Sequence, residues 1–210
     1  LDADSTSFVM RDEVLYDKTM YTVLYYPASL TAETFEFPET VHAIGIGAFA
    51  GAQLKTLVIP ERITKIPEYA FGVSALESIT LHKSLKQIGD YAFWNCAALN
   101  NVAIPNSVER AGNYAFAGCT SLTDMIFEPL AEDGAPYDIG DHFFDGCTAL
   151  TQVIVPQGMT KLAPYMFANT GIVHAEIPMA INDLSGEGVF YNCKNLETVN
   201  FVCKQVAAKV

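Results

Sequence analysis

The sequence predicts a solenoid, a stack of short coils that each contribute one strand to a common parallel sheet. Two observations carry this. First, one phrase recurs seven times: "AFAGAQL" at 48–54, "AFGVSAL" at 70–76, "AFWNCAAL" at 92–99, "AFAGCTSL" at 115–122, "FFDGCTAL" at 143–150, "MFANTGI" at 166–172 and "VFYNCKNL" at 189–196. Its anchoring phenylalanines, Phe49, Phe71, Phe93, Phe116, Phe144, Phe167 and Phe190, follow one another at steps of 22, 22, 23, 28, 23 and 23 residues. A repeat of this length is one supersecondary unit that cannot bury its apolar face alone and must stack on its neighbours. Second, each phrase runs into an apolar triplet whose last two members alternate with an outward position. Examples are Leu54, Leu57, Ile59 and Leu99, Val102, Ile104. That two-residue period marks a half-buried strand.

The elements follow in order. Strands are expected near 35–37, 57–59, 79–81, 102–104, 125–127, 153–155, 175–177 and 199–201. The first is a degenerate copy built on Ala32, Phe35 and Phe37. Proline follows most of them (Pro38, Pro60, Pro105, Pro156, Pro178) and ends pairing because it lacks an N–H. A second apolar pair such as Ile63 and Ile66 comes next. A turn such as "GDYAF" or "GNYAF" then closes the coil, so each return is irregular or one helical turn. The boundaries are an N-terminal segment with a capping hairpin over 1–31, about seven repeats of 22–28 residues over 32–203, and an end at 204–210.

The chain has 210 residues, half of them hydrophobic, and a net charge of −12. No run of 18 apolar residues occurs, so no membrane-spanning segment is expected. A surface this acidic is a poor partner for nucleic acid, whose binding rests on neutralising phosphates, and favours basic partners or none.

The unit P-x-x-V-x-x-I-G-x-x-A-F-x-x-C-x-x-L-x-x-V-x-I resembles the BspA-like leucine-rich repeat, found in many bacterial surface proteins and some protist ones. "IPNSVERAGNYAFAGCTSLTDMIF" at 104–127 matches nearly position by position, with Ala111 for the usual isoleucine, and the resemblance runs from about Val14 to Val202. "VLYDKTMYTVLYYP" at 14–27 is similar to the hairpin that opens such arrays. The resemblance implies a right-handed leucine-rich-repeat solenoid with one parallel β-sheet, short helical or irregular return segments and an N-terminal β-hairpin cap. It also implies a secreted or cell-surface setting with roles in adhesion and partner recognition, and it carries over no catalytic residue and no cofactor. Departures are His82 and Glu128 in place of proline, and a fifth coil whose "EPLAEDGAPYDIGDHFF" rewrites the usual V-x-x-I-G segment.

Candidate chemistry is sparse. The phrase holds Ala52, Ser74, Cys96, Cys119, Cys147, Thr170 and Cys193 at one slot, which needs a small group that cysteine supplies. These cysteines read as buried free thiols, and Cys203 falls outside the slot. No C-x-x-C spacing suggests zinc. His42, His82, His142 and His174 read as loop or surface histidines. Glu132, Asp133, Asp138, Asp141 and Asp145 invite calcium, but their spacing fits a plain surface loop. Tyr69, Tyr91, Tyr114 and Tyr165 form a column for packing between coils or for sugar stacking. No Gly-rich phosphate loop, G-x-S-x-G or H-E-x-x-H appears.

The expected function is therefore a non-enzymatic binding or adhesion module for a protein or glycan. The alternative is a spacer array that presents another domain. Two columns point outward from the sheet, and the second places Ile126 and Ile154 beside Asp124 and Gln152 of the first. With Tyr137 from the insertion, expected to loop outward over 129–142, and the exposed single tryptophan Trp94, these are the candidate partner-binding residues.

Overall fold

The structure, a computed structural model, describes residues 7–129, 137–156, 159–181 and 186–202. Its strands, in chain order, begin with β1 (Phe8–Arg11), β2 (Val14–Asp17), β3 (Thr22–Tyr25) and β4 (Ala43–Ile44). There follow β5 (Thr56–Val58), β6 (Lys65–Ile66), β7 (Ser78–Thr80), β8 (Gln87–Ile88), β9 (Asn101–Ile104), β10 (Arg110–Ala111), β11 (Asp124–Phe127) and β12 (Asp138–Ile139). The last are β13 (Gln152–Ile154), β14 (His174–Pro178) and β15 (Thr198–Val202).

The chain is a β-solenoid. β5, β7, β9 and β11 form one parallel sheet, and β13, β14 and β15 another. The return segments are not helical: among the described residues there is no helix, and β6, β8, β10 and β12 pair in parallel as an additional sheet of two-residue strands. The expectation of a single sheet is corrected accordingly. The reason is that stacking coils bring any extended pair of residues opposite its counterpart, and the buried position of each pair (Ile66, Ile88, Ala111, Ile139) fills the core edge.

At the N-terminal end β1–β2–β3 pair antiparallel, and β3 lies parallel to β4. The turn between β2 and β3 is organised by Asp17, whose carboxylate accepts from the backbone N–H groups of Thr19, Tyr21 and Thr22 at 2.9–3.1 Å. The strand β1 was not legible in the sequence. The strand expected at 35–37 does not form. Phe35 and Phe37 pack edge-on at 5.0 Å and both meet Phe49, where later coils bury mainly aliphatic side chains. The segment's backbone bond to β5 runs from the Thr56 N–H to the Glu33 carbonyl, which also accepts from the N–H of Lys55, just before the strand.

The core is a set of columns. Tyr26, Phe49, Phe71, Phe93, Phe116, Phe144, Phe167 and Phe190 stack with centroids 4.8–6.0 Å apart. Each buried ring thus closes the coil beneath it, and buried aromatic area of this kind dominates core energetics.

Candidate functional site

Each turn around a phenylalanine contains two residues in the left-handed region. The position two before Phe holds Gly47, Tyr69, Tyr91, Tyr114, His142, Tyr165 and Gly188, and the position two after holds Gly51, Val73, Asn95, Gly118, Gly146, Asn169 and Asn192. This alternation turns three N–H groups per coil toward the next one. At the fourth joint, Tyr114, Phe116 and Gly118 donate to the carbonyls of Asp141, Phe143 and Asp145. Glycine and asparagine suit such positions, and the Gly/Asn pattern two residues after Phe was the signal available in the sequence.

The thiols of Cys96, Cys119 and Cys147 are buried, and those of Cys96, Cys119, Cys147 and Cys193 are free. Their role is more specific than filling space. Each thiol donates to the carbonyl of the phenylalanine one coil earlier (Cys96 to Phe71, Cys119 to Phe93, Cys147 to Phe116, Cys193 to Phe167) at 3.0–3.2 Å. In the same slot the Ser74 hydroxyl meets the Cys96 sulfur at 3.3 Å, and the Thr170 hydroxyl donates to the Phe167 carbonyl of its own coil at 2.8 Å. Burial pushes the Cys96 thiol up to about 11 and Cys147 up to about 12, away from the reactive thiolate. Cys203 lies outside the described residues.

The tyrosine column is a closed ladder. His142 completes it, stacked on Tyr114 at 4.4 Å and on Tyr165 at 4.7 Å, with Nδ1 2.8 Å from an Asp145 carboxylate oxygen. Tyr69, Tyr91 and Tyr114 stack at 4.7 and 5.0 Å. Ring faces inside this ladder are occupied by other rings, leaving edges rather than faces toward solvent. His142 sits in a turn, as expected of a loop histidine, but it is half-buried inside the column, where alignment on Phe144 places it.

The insertion is also shorter than expected. Tyr137 is only 5 % exposed, rests edge-on against Phe127 and donates its hydroxyl to the Glu128 carbonyl at 2.7 Å. Burial pushes its phenol up to about 12. Ile139 is buried and β12 pairs with β10, so "YDIG" restores the repeat instead of belonging to the loop. Tyr137 is thus a core residue and not a partner-facing one, and the loop excursion ends before it. Asp138 faces Arg110 and Lys161 at 4.0 and 3.9 Å. Glu132 and Asp133 lie outside the described residues. Among the described residues, no group of three His, Cys, Asp or Glu side chains is gathered for a metal.

The remaining candidates divide. Asp124 and Ile126 on β11, and Gln152 and Ile154 on β13, are all outward; the two isoleucines are 60 % and 67 % exposed. They flank a break. At every other strand joint the residue before the strand, such as Lys55 or Thr151, accepts backbone N–H groups from the next coil; Thr123 accepts none from Thr151 or Gln152. Consequently β11 and β13 belong to separate sheets. Trp94 is not part of this group. It lies on the turn side, edge-on to Tyr69 and Tyr91 at 6.4 Å, and is 36 % exposed.

No helix of the described residues is long and apolar enough to cross a membrane. Among solved structures, the chain is similar to the pneumococcal vaccine antigen PcpA (21 % identity, TM-score 0.69, covering 95 % of this chain and 48 % of that one). It is likewise similar to a leucine-rich repeat protein of Bacteroides ovatus (22 %, 0.59, 94 % and 63 %) and to the leucine-rich repeat protein of T. pallidum (20 %, 0.59, 71 % and 70 %). At these identities the likeness is one of fold, and the chain spans about half the length of PcpA. No curated protein matches it. The family described as "BspA type Leucine rich repeat region" matches residues 19–133 and 134–207 in six copies. A chain matched over nearly its whole length belongs to the BspA-type leucine-rich repeat family.

Proposed function

We propose that this protein is a cell-surface or secreted binding module that recognises a neutral or basic protein or glycan, without catalysis. The observation that carries the reading is the pair of outward isoleucines, Ile126 and Ile154, on either side of the joint where β11 and β13 part into separate sheets, in the coil with the longest repeat. Asp124 and Gln152 supply polar groups beside them. An apolar centre with a polar rim is the anatomy of a recognition patch, and solenoids present extended surfaces of this sort. The family and the fold shared with a vaccine antigen support a surface setting. Two sets of reactive side chains have packing roles, which supports the reading: the buried thiols are hydrogen-bonded to carbonyls, and His142 is wedged between tyrosines.

The test is binding of the purified protein to a glycan array and to a panel of purified extracellular-matrix proteins, compared with an I126D/I154D variant. Loss of a hit with unchanged thermal unfolding supports the patch. A hit that survives places recognition elsewhere, and absence of any hit favours a spacer array. Replacing 130–136 by a short Gly-Ser link, with Tyr137 kept, tests the loop's share.

A further inference from the structure

A different surface lies at the opposite edge of the same four-stranded sheet. In the pairing of β5 with β7, alternate residues face β7: the Lys55 carbonyl accepts from Ser78, and Ile59 donates to Thr80. Thr56 and Val58 therefore direct their backbone groups the other way, toward the first coil. Thr56 N–H meets the Glu33 carbonyl, but beyond that point the ladder stops. The bond equivalent to Ile59 N to Thr80 O would run from Phe37 N to Val58 O, and it is not made. Residues 34–37 splay from β5 and the two enclose a cavity of about 420 Å³ lined by Phe35, Phe37, Val58, Pro60, Glu36 and Arg62, among others.

The gap is held open from behind. The Arg62 guanidinium donates to the carbonyls of Val41 (2.7 Å), Phe37 and Pro38 (both 2.9 Å), so the first coil is fastened to the second at this spacing. Arg62 is committed to those carbonyls and to Glu39 at 3.9 Å. Glu36 is exposed at the rim, and the chain as a whole is at −12. The walls are apolar, with Val58 63 % exposed and both phenylalanines half-buried.

We propose that this edge takes an extended peptide segment of a protein partner by strand addition to β5. The segment carries aliphatic side chains at alternate positions and lysine or arginine at its flanks. Strand addition draws affinity from main-chain hydrogen bonds and specificity from pockets for alternate side chains. The open edge at Val58 supplies the first, and the Phe35–Phe37–Pro60 walls the second. The acidic rim selects the basic flanks. An exposed, unpaired edge beside apolar walls is otherwise an aggregation hazard that proteins cover.

The test is selection of a displayed library of random dodecapeptides on the folded protein, with counter-selection on V58P. Proline removes the N–H that points into the gap, and edge strands tolerate it. Thermal unfolding checks that the variant folds. Enriched peptides should show the alternating aliphatic pattern with basic flanks. In fluorescence anisotropy they should bind V58P at least tenfold more weakly, and the exposed-charge variant E36K/E39K at least threefold more weakly. Methylation of the peptide's alternate backbone nitrogens should abolish binding. I126D/I154D should bind the peptides unchanged, which separates this edge from the proposed recognition patch. If V58P does not fold, E36K/E39K and the N-methylated peptide carry the comparison. Absence of enrichment, or peptides indifferent to N-methylation and to E36K/E39K, overturns the proposal.

Discussion

The turn side and the strand side of the solenoid respond differently to the same irregularity. Between the fifth and sixth coils the strand side loses its pairing, and β11 and β13 part into separate sheets. On the turn side of that joint nothing is lost: His142, Phe144 and Gly146 still donate to the carbonyls of Pro164, Met166 and Ala168. At the first joint the contrast repeats, with a splayed strand position at 34–37 and an intact turn ladder from Gly47, Phe49 and Gly51. The coils are thus held in register by the buried Phe column, the thiol-to-carbonyl bonds and the paired left-handed positions. The strands part at two joints, beside β11 and beside β5, and both candidate recognition surfaces fall there.

The turn side is most vulnerable at Phe116, in the middle of the column. Phe116→Ala should cost about 3–5 kcal/mol, the range for truncating a buried aromatic, measured by urea unfolding. Phe190→Ala, at the half-buried end of the stack, should cost distinctly less. Equal losses would mean that the column does not hold the coils.

The thiols sharpen it through pH. Their folded values lie above the ordinary 9.0 of an unfolded thiol, so their contribution is complete below pH 9 and is lost as pH rises toward 11 for Cys96 and 12 for Cys147. At pH 10.5 the loss should be about 1–2 kcal/mol per thiol. Urea unfolding at pH 8 and 10.5 should show a smaller drop for C96S/C147S than for the parent protein. In the native protein Cys96, Cys119 and Cys147 should react with alkylating reagents only on unfolding.

Val73 is the β-branched residue among the left-handed positions two after Phe, at φ 53° and exposed. Val73→Gly should stabilise the protein by roughly 1 kcal/mol, because a left-handed non-glycine residue costs about 1–2 kcal/mol and glycine gives part of this back in chain entropy. A destabilised variant would show that the turn is not under strain.

The smallest effect belongs to the strand side. Ile126→Ser and Ile154→Ser should each change stability by less than about 0.5 kcal/mol, as exposed sites do. A larger loss in thermal unfolding would mean that these side chains are covered and do not form an open patch.

The period, the Phe column, the small-residue slot and the alternation that turns Ile126 and Ile154 outward are all written in the residue order. All of these are local patterns repeated at a fixed step, and stacking converts such repetition directly into columns. Tertiary structure alone decided what depends on how one coil meets the next. The two-residue return strands are too short to show a period. Tyr137 reads as a loop residue until its hydroxyl finds the Glu128 carbonyl and its ring finds Phe127. The break beside β11 and the gap beside β5 are backbone bonds that fail to form, the first in the coil with the longest repeat and the second where Phe35 and Phe37 crowd against Phe49. Side-chain order cannot express that spacing, since it is set by packing across coils more than twenty residues apart.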